Sequence, residues 1–211
     1  MTTKLTICNG CLRLLKERSV TQSELTNGTR EPARLFNAVW DDGGLDACLE
    51  AGQWRFAKRT ILIDASPSVE PSTDFGGYSF AFDIPTDHVR TVGVWSDANL
   101  TTPYVYYREE GGFWVATLET MYVSYISNDV LFGLDYSLWP QTFVEFVQAH
   151  FATKIAGPLS DLGQEMAKVR KAYLATALSL DSMADPTRII PPGSWVRARL
   201  TGGHRRDGQP R

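Results

Sequence analysis

The sequence predicts an α+β protein: a mainly α-helical bundle of about four helices with an inserted antiparallel β-rich subdomain and an extended C-terminal tail. Three observations lead there. Apolar residues recur at three- and four-residue steps as far as Gly52 and again from Pro140, but alternate with polar residues at a period of two in between. The strand candidates lie close together across short turns, which favours an antiparallel meander, because parallel pairing needs a crossover of about a dozen residues. Beyond Asp185-Pro186 the apolar spacing gives way to Pro191-Pro192-Gly193 and a run of arginines. The expected organisation is therefore 1–53 (N-terminal helices), 54–135 (β-rich insertion), 136–185 (an antiparallel helix pair) and 186–211 (a basic docking tail). No internal repeat interrupts it.

The first helix is expected from about Leu5 to Arg18, with Thr2 or Thr3 as N-cap and Leu5, Cys8, Leu12 and Leu15 on one face. A polar stretch from Ser19 to Gly28 reads as turns. Thr29 is the expected N-cap of a second helix, with Pro32 in its tolerant first turn and Leu35, Phe36, Val39, Trp40, Leu45, Cys48 and Leu49 as its stripe. Asp41-Asp42-Gly43-Gly44 should kink or break it, since glycine costs about 1 kcal/mol in a helix interior. Period-two segments follow at 54–58, 78–84, 89–95, 104–108, 113–117 and 121–126, with turn signals at Gly76-Gly77, Asp97-Ala98-Asn99 and Gly111-Gly112. Phe143, Val144, Phe146, Val147, Phe151 and Ile155 then give a broad apolar helix face that should end at Gly157-Pro158. Ser160 is placed to cap a last helix with Leu162, Met166, Val169, Tyr173, Ala177 and Leu180 as its stripe.

With 43% hydrophobic, 11% aromatic and 21% charged residues in 211, the chain is of the globular class and can bury a core. It has no apolar run of the roughly 18 residues a membrane span needs, and its first residues lack a signal peptide's pattern, so a cytoplasmic site of synthesis is expected. The net charge of -3 conceals an asymmetry. From Arg188 onward six arginines face Asp207 alone, a tail of +5. The preceding 187 residues hold 15 basic and 23 acidic side chains, a body of -8. An acidic body with an arginine tail implies a partner surface for the tail, because guanidinium forks pair with carboxylates or phosphates.

Motifs for chemistry fail on context. Cys8-Asn9-Gly10-Cys11 has the C-x-x-C spacing, but Cys48 is the only other cysteine, the three histidines are scattered, and both cysteines fall on or beside a helix stripe. No histidine has a serine or cysteine partner in a recognisable nucleophile motif. The glycine pairs lack the spacing and lysine of a phosphate loop. Glu109-Glu110 and Asp41-Asp42 sit at turns and read as solvated charge. The strands are rich in aromatics (Trp54, Phe56, Tyr78, Phe80, Phe82, Trp95, Tyr104, Tyr106, Tyr107, Phe113, Trp114), with basic residues limited to Arg55, Lys58, Arg59, Arg90 and Arg108. The aromatics therefore read first as the core of a β layer and second as a binding face. In the tail, Trp195 among Arg197 and Arg199 has the composition of an interface hot spot, and Pro191-Pro192 is expected to favour an extended segment.

Several stretches resemble one family. Leu5 to Leu15 opens the chain, Arg30-Glu31-Pro32-Ala33-Arg34 starts the second helix, and Ala47 to Arg59 (ACLEAGQWRFAKR) marks the helix-to-strand junction. Phe82 to Arg90 (FDIPTDHVR) lies in the β region, and Tyr125-Ile126 precedes the paired helices and the Trp/Arg tail. In this order they resemble the head-to-tail adaptor (connector) proteins of tailed bacteriophages, the group that includes tail tubular protein A. The resemblance implies a structural virion protein at the head–tail junction, present in the host cytoplasm during assembly. It would form a homo-oligomeric ring, a dodecamer in the virion, between the portal protein and the tail nozzle or next tail component. That ring would extend the DNA channel and pass genomic DNA without sequence-specific binding. It implies no catalytic residue, cofactor, metal or membrane partner. The portal-docking role falls on Arg188, Trp195, Arg197, Arg199, Arg205 and Arg206. The structural motif falls on Trp54, Phe56, Ala57, Arg59, Pro85, Asp87 and Arg90. Cys8 and Cys11 are not part of the family pattern, and Gly43-Gly44 departs from it. The competing expectation is a glycan-binding or hydrolytic virion protein acting through the aromatic β insertion.

Overall fold

The computed structural model of the chain describes residues 2–67, 69, 75–159 and 161–184. Its fold is mixed α and β, built from helices at both ends of the described chain and two small antiparallel sheets between them.

Helix α1 (Lys4–Leu14) starts at a capping box in which Thr3 and Thr6 satisfy each other's backbone. It ends four residues earlier than the apolar spacing suggests. The Glu17 N–H bonds the Leu12 carbonyl and the Lys16 N–H bonds that of Arg13, a Schellman closure with Lys16 at φ +61°, where glycine is usual. A lysine gives no stop signal, which is why the expected helix overran to Arg18. The stretch read as turns contains helix α2 (Gln22–Asn27), capped by Thr21 and Glu24 in a second capping box and closed by Gly28 in the left-handed region. Helix α3 (Glu31–Val39) has Arg30, not Thr29, at its N-cap position, with no side-chain cap. The expected break is present: Trp40–Gly44 form a π turn with Asp42 and Gly43 outside helical geometry, and α4 (Leu45–Glu50) resumes beyond it.

The alternation at Trp54, Phe56 and Lys58 is not a strand but a 3₁₀ turn (Arg55–Ala57) that hands over to β1 (Lys58–Asp64). The remaining strands are β2 (Phe80–Asp83), β3 (His88–Trp95), β4 (Tyr107–Glu110), β5 (Phe113–Ala116) and β6 (Thr120–Ser127). They do not form a meander. One sheet has the order β1-β6-β3 and the other β2-β5-β4, so among the described residues β4–β5 is the one pairing of consecutive strands. All pairings are antiparallel as expected. The last helices are α5 (Gln141–Leu159), which runs through Gly157-Pro158 instead of stopping there, and α6 (Gly163–Met183). Ser160, the expected cap, lies outside the described residues, as does the tail from Asp185 onward.

Helix α5 is buried nearly all round. Phe143, Val144, Phe146, Val147, Phe151, Ile155 and also Ala149, Ala152 and Ala156 are inside, so it is the central helix of the main core. Trp54, Phe56 and Trp139 meet Phe143 at ring separations of 4.7, 4.8 and 4.9 Å, and Phe36 and Trp40 meet Phe151 at 5.0 and 5.7 Å. A second core lies between the sheets, made by Phe82, Val94, Trp114, Ala116, Met121, Val123 and Tyr125. Strand β6 is the wall common to both. Met121, Val123 and Tyr125 face the second core, and Ile126, one residue on, belongs to the first.

Gly133 sits where the loop after β6 crosses that strand's end. A Cβ there would lie 2.1 Å from the Ser127 carbonyl oxygen and 3.0 Å from Leu49. Backbone cannot yield as a side chain can, so Gly133→Ala should destabilise the protein by about 1–3 kcal/mol in chemical denaturation. A midpoint equal to wild type would show that the loop relaxes freely.

Candidate functional site

The residues assigned to the structural motif, Trp54, Phe56, Ala57, Arg59, Pro85, Asp87 and Arg90, lie at the joint between helices and sheets. Trp54 is fully buried and its Nε1–H donates to the Cys48 carbonyl at 3.0 Å, fixing the chain as it leaves α4. Phe56 packs on the Phe143 ring, and Ala57 has no exposure, so the 3₁₀ turn is pressed onto α5. Arg90 donates to the Glu50 carbonyl at 3.2 Å, a cation on the last residue of α4. Pro85 begins the turn into β3, its carbonyl accepting the His88 N–H at 3.1 Å.

Asp87 is the centre of this joint. It accepts from the Arg59 guanidinium at 2.9 Å, from Ser127 Oγ at 2.5 Å and from Tyr125 Oη at 3.1 Å, and its backbone carbonyl accepts the Asn128 N–H at 2.9 Å. Arg59 also lies over the Phe132 ring. Burial alone would raise the Asp87 carboxyl, but the hydrogen bonds from Ser127, Arg59 and Tyr125 and the Arg59 charge outweigh it and hold the pKa below the ordinary carboxylate value. Tyr125 is pushed up to about 12 by burial, by the Asp87 charge and by its hydrogen bond to that carboxylate. A carboxylate with its lone pairs so occupied acts as a strut.

A second polar cluster joins the sheets. Thr91 Oγ1 lies 2.8 Å from Glu109 Oε2, 2.9 Å from Trp114 Nε1 and 2.9 Å from His88 Nε2. The carboxylate can only accept and the indole can only donate, so the single hydroxyl proton goes to Glu109 and the remaining lone pair takes a proton from His88. His88 therefore carries its hydrogen on Nε2. Thr91 carries no signal in the sequence and Glu109 reads there as solvated charge at a turn, because only the packing of one sheet against the other brings β3 and β4 together. In register, Arg59, Tyr125 and Thr91 form one polar row across β1, β6 and β3.

Other candidates have structural roles or no partner. Cys8, Cys11 and Cys48 are buried free thiols; burial pushes Cys8 up to about 12 and raises the other two further. Among the described residues no group of three or more histidine, cysteine or acidic side chains could hold a metal ion, and no helix is long and apolar enough to cross a membrane. His150 lies inside α5, its Nε2 without a hydrogen-bond partner among the described residues, and burial followed by the Arg170 and Lys154 charges lowers it to about 4. Trp54, Phe82 and Trp114, taken as candidate binding aromatics, are interior, whereas Tyr106 is exposed. An open groove of about 900 Å³ runs between α1 and α5, with Leu5, Asn9, Arg13, Tyr136, Val144 and Gln148 on its walls. The docking residues Arg188, Trp195, Arg197, Arg199, Arg205 and Arg206 lie outside the described residues. No protein-family model matches the chain, and no curated protein is significantly similar to it.

Asp87→Asn keeps the shape and removes the counter-charge of Arg59. Asp87 is 15% and Arg59 36% exposed, so the loss should fall below that of a fully buried pair, at roughly 1–3 kcal/mol at pH 7. A folded-state pKa below the unfolded one gives stability that is present above the unfolded value and is lost as the acid protonates. The wild-type advantage should therefore shrink as pH falls below about 4. Urea unfolding of both proteins across the acid range tests this, and a difference independent of pH would point to shape instead of charge.

Proposed function

We propose that this chain is a head-to-tail adaptor of a tailed bacteriophage. In this reading it is a structural virion subunit that forms a ring, a dodecamer in the virion, between the portal protein and the tail nozzle or next tail component. The observation that carries the proposal is that the two most specific resembling strings, Ala47 to Arg59 and Phe82 to Arg90, are the segments that lock the helices to the sheets. A shared pattern at the joint of the fold supports a shared architecture: a helical bundle of about four helices for lateral packing, a β-rich insertion for the next layer and a tail for the previous one.

The charge distribution fits the same role. The body carries -8 and the last 24 residues +5. An acidic channel wall lets duplex DNA pass without adhering, because phosphate attraction requires basic surface. The arginine tail, with Trp195, Arg197 and Arg199 as its anchors, supplies the grip on the portal. The glycan-binding alternative is weakened by the burial of Trp54, Phe82 and Trp114, since a ring inside a core cannot stack on a sugar.

The test is association with a portal ring of the same phage, followed by light scattering on a sizing column at low salt. One copy per portal subunit is expected for the full chain. A chain lacking 189–211 should stay folded by circular dichroism and lose at least about tenfold in affinity, the scale of one interface hot spot. Binding undiminished by the deletion would overturn the tail's role, and no association by the full chain would overturn the adaptor reading.

A further inference from the structure

Edge strands expose a row of unpaired backbone groups, and proteins usually blunt them with bulges, charges or short length. Three of the four edges here are blunted. β3 is interrupted by two register shifts, and its far end is covered where Trp95 bridges Pro103 and the Tyr104 N–H bonds the Val94 carbonyl. β2 and β4 have four residues each. β1 differs. Its seven residues pair with β6 in unbroken register and carry no bulge and no proline. Lys58 and Arg59 at one end and Asp64 at the other flank an uncharged stretch from Thr60 to Ile63. Apart from the Lys58 N–H, which closes the preceding turn on Arg55, the β1 backbone bonds only β6 among the described residues. Its outer face continues an apolar row in which Leu62, Tyr122 and Trp95 stand side by side across three strands, with Leu62 54% exposed.

We infer that the chain's own residues 194–200 are the strand that pairs with this edge in the free subunit. Two observations select that occupant. The described chain ends beside β1: the Arg55 N–H donates to Asp181, the Arg55 guanidinium donates to the Ala184 carbonyl, and Arg55 stands three residues before Lys58. Twenty-seven residues follow Ala184. In Ser194-Trp195-Val196-Arg197-Ala198-Arg199-Leu200, Val196, Ala198 and Leu200 alternate with Trp195, Arg197 and Arg199, the period of a half-buried strand, and no proline interrupts it.

The geometry allows the pairing. β1 spans about 23 Å at roughly 3.3 Å per residue. Residues 185–193 reach up to about 30 Å when extended, which the two prolines favour. A strand added there alternates as β1 does. Val196, Ala198 and Leu200 then fall on the side of Ile61 and Ile63, which pack on the second core. Trp195, Arg197 and Arg199 then lie on the opposite face, which Lys58, Leu62 and Asp64 share. Tethering sets a high effective concentration, so the intramolecular contact needs little intrinsic affinity. Its consequence for assembly rests on the adaptor reading: a tail held on its own β1 is withheld from the portal until docking displaces it.

Amide hydrogen exchange on the free protein tests the pairing without a portal, so its outcome is separate from that of the portal experiment. Outward-facing amides in 58–64 should exchange about tenfold or more slowly in the full chain than in one ending at Ala184. Ala198→Pro, which removes a strand donor and leaves the rest of the tail, should match the truncation and covers the case in which the truncated chain folds poorly. Equal exchange in all three proteins would overturn the inference. Protection that appears only as protein concentration rises would also overturn it, in favour of strand exchange between copies.

Discussion

A carboxylate only 15% exposed must find donors and a counter-charge, or keep its proton. Asp87 finds them on separate stretches of chain: Arg59 opens β1, and Tyr125 and Ser127 close β6. These contacts leave little freedom in how the three-stranded sheet is registered. Slipping β6 by one residue would put Ile126 where Tyr125 bonds the carboxylate and would turn Tyr125 toward the helices. The charge thus selects the register, and the register decides which side chains of β6 enter which core.

That division has mechanical consequences. Because β6 walls both cores, movement of the sheets against the helices would have to disturb Ile126 on one face or Val123 and Tyr125 on the other. Trp54 and Arg90 add independent ties from the helical side, one through an indole on the Cys48 carbonyl and one through a guanidinium on that of Glu50. Fully burying a large apolar side chain contributes about 1.5–3 kcal/mol, so the aromatic cluster around Phe143 is the main energetic term there, and the polar contacts chiefly specify position.

How much of this was legible in the sequence depends on the range of the signal. Periodicity gave the helix–strand–helix order and the broad apolar face of α5, but not its central place, which follows from Ala149, Ala152 and Ala156 being buried as well. Glycine gave the break at Asp42-Gly43. Two errors came from local chemistry: Thr21 and Glu24 spell a capping box within a stretch that looked like turns, and Lys16 closes α1 in a conformation that glycine usually marks. The meander failed for a different reason. Strand order depends on which faces can be buried together, and nothing local to β1 shows that its partner lies some sixty residues on. The Asp87 contacts were half visible: the resembling strings contain Arg59, Asp87 and Tyr125, but only pairing across the sheet reveals that they meet, and Ser127 carried no signal of its own.

The charge asymmetry constrains any role for the tail. An arginine segment of +5 tethered to a body of -8 is attracted to that body wherever it comes within a Debye length of acidic surface charges, about 8 Å at physiological salt. Whatever free energy the tail gains on another protein therefore counts only as the excess over what it already has at home. Charge alone cannot supply that excess unless the partner is more strongly acidic than the body. Shape can: a pocket that takes the Trp195 indole discriminates where a diffuse acidic surface does not. In the adaptor reading, specificity for the portal then resides in the tryptophan, and the arginines set the rate of encounter and its dependence on salt.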